Sequence, residues 1–117
     1  MADAVTIWVE NYRRAWESND PDDIRALFTE DAVYRTRPHE ESPWQGREQI
    51  VVGWLHDLDE PGTTAFDWHP LVVTDDLAVV QGVTVYENGP TYSNLWVINL
   101  DADGRAREFT EWFMEQK

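Results

Sequence analysis

Apolar residues Val5, Trp8, Tyr12, Ala15 and Trp16 recur at intervals of three and four, which places them on one face of a helix of about 14 residues ending near Ser18-Asn19. In Asp20-Pro21-Asp22-Asp23 a capping carboxylate precedes a proline suited to the first helical position, and two more acids sit near the positive end of the dipole. A second, short helix is therefore predicted, with Ile24, Leu27 and Phe28 inward and Thr29-Glu30-Asp31 ending it. Residues 32–37 then alternate with period two as a first strand, stopped by Pro38. From His39 to Gln45 there is no period, which predicts a polar loop carrying an exposed or lid-like Trp44. Gly46 opens a third helix with the stripe Ile50, Val51, Trp54, Leu55 and Leu58, ended by Asp59-Glu60-Pro61-Gly62. Gly53, inside that helix, predicts close packing against something flat.

Strand-type patterns fill the remainder. Residues 64–74, 77–87, 91–100 and 105–114 are rich in Val, Phe, Trp, Tyr and Thr, and short turns around Asp75-Asp76, Asn88-Gly89-Pro90 and Asp101-Ala102-Asp103-Gly104 separate them. Such turns make neighbours antiparallel. The predicted order is α-α-β-α-β-β-β-β, an α+β fold in one domain spanning residues 1–117, with three N-terminal helices on one face of a curved antiparallel (mixed) sheet. In the strand starting at Leu77 both alternating sets are apolar: Leu77, Val79, Val83 and Val85 on one side, Ala78, Val80, Thr84 and Tyr86 on the other. Both sheet faces thus read as buried. The helices cover only one, so a second copy of the chain is expected on the other, as a homodimer through the sheet face.

Composition narrows the chemistry. With 117 residues, 9 Lys+Arg against 23 Asp+Glu and a net charge of −14, the surface repels phosphate backbones and anionic headgroups, so neither nucleic acid nor membrane is an expected partner. No segment approaches the length of a membrane span, and Met1-Ala2-Asp3-Ala4 lacks the basic flank of a secretory signal. The absence of Cys removes thiolate nucleophiles, disulfides and Cys-ligated metals, and fits a cytoplasmic protein. His39, His56 and His69 have no zinc-binding spacing, and no Gly-rich phosphate loop or nucleophile elbow occurs; no metal or cofactor is expected. His39 with Glu40 and Glu41 reads as a solvated charged loop, and His69 either reaches a pocket or ends an edge segment.

Local sequence carries a resemblance. Residues 12–20 (YRRAWESND), 26–34 (ALFTEDAVY), 46–50 (GREQI) and Asp103-Gly104-Arg105 leading into residues 108–113 (EFTEWF) resemble the SnoaL-like domains of the nuclear transport factor 2-like superfamily, over nearly the whole chain. The resemblance implies a cone in which a curved sheet wraps a long helix and leaves a pocket at the open end. It does not fix an activity, because similar domains serve as isomerases, dehydratases, epoxide hydrolases, cyclases and non-enzymes.

Individual positions discriminate among these. The oxyanion-binding tyrosine of ketosteroid isomerases of this fold falls on Tyr12, but their general base falls on or beside Thr36 and their protonated aspartic acid on Trp96, and neither can move a proton. Of the aspartate, arginine, aspartate set of limonene-epoxide-hydrolase-like members, only one acid has a counterpart, Glu111. SnoaL-like cyclases are similar in relying on an acid in the pocket. Glu111 and Tyr12 are thus the catalytic candidates. Glu111 lies between Phe109 and Phe113, an apolar row that raises a carboxyl pKa unless an Arg pairs with it. Seven Trp serve either a packed core or a ring-lined cavity. For the cavity, the superfamily geometry implies Trp16, Tyr34, Trp54, Asn94 and Trp96 as ligand contacts. The expected function is binding of a small hydrophobic or polyketide-like molecule, with isomerase, cyclase or hydrolase chemistry left open. The alternative is a non-catalytic dimeric structural or interaction module with its pocket filled.

Overall fold

In a computed structural model, residues 3–57 and 62–116 are described. The first helix, α1 (Ala4–Ser18), starts where the Asp3 side chain accepts from the Thr6 amide at 2.7 Å and ends at Asn19, whose backbone is left-handed with φ 52°. Val5, Trp8, Val9, Tyr12 and Ala15 form its buried stripe. Asp20 caps α2 (Pro21–Arg25) by accepting from the Asp22 amide at 2.8 Å.

The predicted second helix was too long. It stops at Arg25, Leu27 lies in the following turn, and Phe28 already begins strand β1 (Phe28–Arg35), which therefore starts and ends earlier than predicted. Phe28 pairs with Ala106 and Val33 with Glu108, with an irregularity between them that breaks the period-two signal of the first half. The polar loop also needs correcting. Trp44–Gln45 forms a two-residue strand, β2, antiparallel to β1, so the order gains a strand relative to the prediction. Trp44 is half-buried, its ring stacked on Tyr34 at 4.9 Å between centroids.

Gly46 caps α3 (Arg47–His56), whose buried residues are Ile50, Val51 and Trp54; Leu58 and Asp59-Glu60-Pro61, expected to continue and close this helix, lie outside the described residues. The flat partner of Gly53 is the Trp44 indole: a Cβ at Gly53 would lie 2.3 Å from it.

Strands β3 (Thr64–Val73), β4 (Leu77–Tyr86), β5 (Thr91–Leu100) and β6 (Ala106–Glu115) follow, each within a residue or so of its predicted limits. The six strands form one sheet ordered β2-β1-β6-β5-β4-β3, antiparallel except for the β1–β6 pair. It is the mixed, curved sheet of an α+β fold. Pro70 sits in edge strand β3, where its missing N–H costs no internal ladder bond. At Gly82 the ring of Phe66 crosses so closely that a Cβ would stand 2.6 Å from it, and that ring stacks on Trp96 at 4.8 Å.

The inner face carries Ala78, Val80, Trp96, Ile98 and Phe109, all buried under α1. Trp8 of α1 stacks on Phe109 at 5.6 Å, meets Trp96 edge-on at 6.4 Å, and donates its ring N–H to the Leu27 carbonyl at 2.9 Å, so its polar atom is satisfied inside the core. The other set of strand residues, Val83, Val85, Trp112 and Met114, is exposed in the single chain, Met114 by 74%. Both sheet faces are apolar, but within one chain only one is covered. Among the described residues no helix is long and apolar enough to cross a membrane.

Candidate functional site

Where α1 passes the sheet toward β4, β5 and β6, the inner face is not filled. A cavity of about 450 Å³ remains, within the range of about 300–1,000 Å³ found for small-molecule sites. All seven sequence-nominated residues, Tyr12, Trp16, Tyr34, Trp54, Asn94, Trp96 and Glu111, line it.

Strand parity explains the convergence. Trp96 and Glu111 are register partners across β5 and β6, and Asn94 is two residues from Trp96, so all three point to the inner face. The same parity brings in Thr84 and Tyr86 on β4, Tyr92 on β5 and Phe113 on β6, which could have been found by stepping two residues from those already nominated. Trp44, expected on a loop, and Thr36, expected to be unable to serve as a base, are also on the wall. Asp57, at the C-cap of α3, carried no signal in the sequence. His69 pairs with Gln81 and is exposed, away from the wall.

Glu111 is half-buried and has no Arg partner among the described residues; its bonds there come from two neutral donors. Asn94 Nδ2 donates to Oε2 at 3.0 Å and Trp96 Nε1 to the same oxygen at 2.6 Å. Thr84 Oγ1 donates to Asn94 Oδ1 at 2.7 Å, which orients the amide with its nitrogen toward Glu111. Desolvation raises the Glu111 pKa to about 7 against the pull of these two hydrogen bonds, so the neutral acid is well populated at neutral pH. With Oε2 occupied by both donors, the proton of the neutral form belongs on Oε1.

Across the cavity, the hydroxyls of Tyr12 and Tyr34 are 2.7 Å apart in a buried hydrogen bond. Burial foremost, then the phenol of Tyr34 and the carboxylate of Glu111, hold the Tyr12 pKa well above its ordinary value; burial and Glu111 do the same for Tyr34. Both stay protonated. One hydroxyl donates to the other, which leaves a single O–H of the pair to offer elsewhere. The site therefore presents two neutral proton donors of different strength, set among rings.

The fold defines a class first. A protein of unknown function from Burkholderia xenovorans described as NTF-2 like superposes with a TM-score of 0.76 at 16% identity, covering 97% of this chain and 85% of that one. A steroid delta-isomerase from Pseudomonas aeruginosa superposes with a TM-score of 0.66 at 18% identity over 97% of this chain and 82% of that one. An M. tuberculosis epoxide hydrolase described as LEH-like superposes with a TM-score of 0.57 at 20% identity, covering 92% and 80%. At these identities the likeness is one of fold. Residues 9–113 match the SnoaL-like domain family, and the chain belongs to it. Comparison with curated proteins finds no match.

Proposed function

We propose that this SnoaL-like chain binds a small hydrophobic or polyketide-like molecule in the aromatic cavity and that Glu111 transfers a proton to or from it. The observation that carries the reading is a carboxyl with a pKa near neutrality on the wall of a cavity large enough for a ligand. The remaining O–H of the Tyr12–Tyr34 pair polarises an oxygen of the ligand, and Trp16, Trp54 and Trp96 supply apolar contact. The order of proton transfers separates isomerase, cyclase and hydrolase chemistry, and Glu111 is the group offered for acid/base work in each. The cavity volume favours this reading over a module whose pocket is filled by its own side chains.

A homodimer belongs to the same proposal: Val83, Val85 and Trp112 leave an apolar outer sheet face, and a symmetric second copy offers an identical face to it. Titrating the protein with a library of hydrophobic carbonyl compounds and following Trp fluorescence tests the ligand reading. Saturable changes that Trp54→Ala weakens are expected; an invariant spectrum across the library would overturn it.

A further inference from the structure

Building on that reading, we infer that the cavity selects its occupant by charge and that the occupant carries a protonated amine, whose ammonium sits against Glu111 among the aromatic faces. Two carboxylates, Glu111 and Asp57, are on the wall, and among the described lining residues there is no Lys, Arg or His. The groups facing Glu111 from the other elements are Tyr12 on α1, Tyr34 on β1, and Asn94 and Trp96 on β5, all neutral. Tyr86 on β4 adds no positive charge, and Asp57 after α3 is an exposed carboxylate whose Oδ1 lies 3.0 Å from Nδ1 of His56, a residue outside the lining.

Burial disfavours the ionised form of Glu111, and no lining side chain among the described residues supplies a positive charge to offset that cost. A ligand ammonium supplies it. Aromatic faces carry the negative side of the ring quadrupole and attract the same cation. One Trp of the wall already holds a cation: the Arg13 guanidinium lies 4.4 Å from the Trp16 ring centroid, held by Glu17 and Thr64. A ligand carboxylate or phosphate would meet the Glu111 carboxyl, no cation among the described lining residues and the field of a chain with net charge −14. A neutral alcohol can take a hydrogen bond from Oε1–H but gains nothing from the missing counter-ion.

The test uses one ring system with three head groups, naphthylethylamine, naphthylethanol and naphthylacetate, measured by titration calorimetry at several pH values. The amine is expected to bind at least about tenfold tighter than the alcohol at about pH 8, with the carboxylate weakest. Because the ammonium needs ionised Glu111, its affinity should rise roughly thirty-fold between about pH 5.5 and about pH 8, the ratio of ionised fractions for a group titrating near 7. Glu111→Gln should abolish both the preference and the rise. An alcohol that binds as well as the amine, or an amine affinity flat with pH, overturns the charge selection and leaves the ligand-handling reading standing. Failure of all three probes to bind overturns the charge selection, while the ligand-handling reading is decided separately by the carbonyl library.

Discussion

Glu111→Gln keeps the size and shape of the side chain: the amide oxygen can accept from Asn94 and Trp96 as Oε2 does. What it removes is the ability to ionise. In the unfolded chain Glu111 titrates near 4.5, and in the folded chain near 7. Below 4.5 both states hold the proton. Between the two values the unfolded chain loses it and the folded chain keeps it, so stability falls as pH rises, and above 7 the loss is complete. At about 1.4 kcal/mol per pKa unit the full difference is at most about 3.5 kcal/mol. The variant should therefore match the wild type at about pH 4 and exceed it by up to about 3.5 kcal/mol at about pH 8, a gain of roughly 10–15 °C in Tm for a domain of this size. Urea denaturation of both proteins across this range isolates the residue, since the other carboxylates cancel in the difference. A difference independent of pH, or a variant less stable at about pH 8, would contradict a desolvated, unpaired acid. Higher stability with lost turnover or ligand binding is the signature of a strained functional group.

Other positions give independent checks. Tyr12→Phe and Tyr34→Phe each leave a buried hydroxyl without its partner and should each cost about 1–3 kcal/mol, while the double variant costs less than their sum in a thermal or urea melt. Gly53→Ala would gain about 1 kcal/mol in an exposed helix interior. Here the new Cβ displaces the Trp44 ring from Tyr34, so a net loss of about 1 kcal/mol and a changed Trp emission spectrum are expected. For the outer sheet face, light scattering should give twice 13.7 kDa for the wild type and a single chain for Val83→Glu, which puts a charge into the apolar patch.

Where one physical signal dominates, the chain was readable. The i, i+3, i+4 stripe on α1, and the β-branched and aromatic runs of β3 to β6 bounded by Asp, Asn and Gly turns, mark those elements nearly to the residue. Between Leu27 and Gln45 the signals compete. Phe28 belongs to a strand whose first half pairs irregularly, so an apolar residue one turn beyond Ile24 reads as helical, and two residues of β2 are too few to show a period. The cavity wall follows from strand parity once Glu111 and Asn94 are placed. The bonds that set the acid's character do not: that Asn94 and Trp96 both reach Oε2, and that Thr84 orients Asn94, depends on the register and side-chain rotamers across the β4–β5 and β5–β6 pairs. Asp57 and Trp44 join the wall only through tertiary packing.

The most direct measurement is a side-chain carbon NMR titration that follows the Glu111 carboxyl in the folded, ligand-free protein. A midpoint near 7 is expected, with a shift in the Trp96 indole N–H at the same pH. A midpoint at the ordinary glutamate value near 4.5 would mean that water reaches the acid freely, and the proton-transfer role would fall with it.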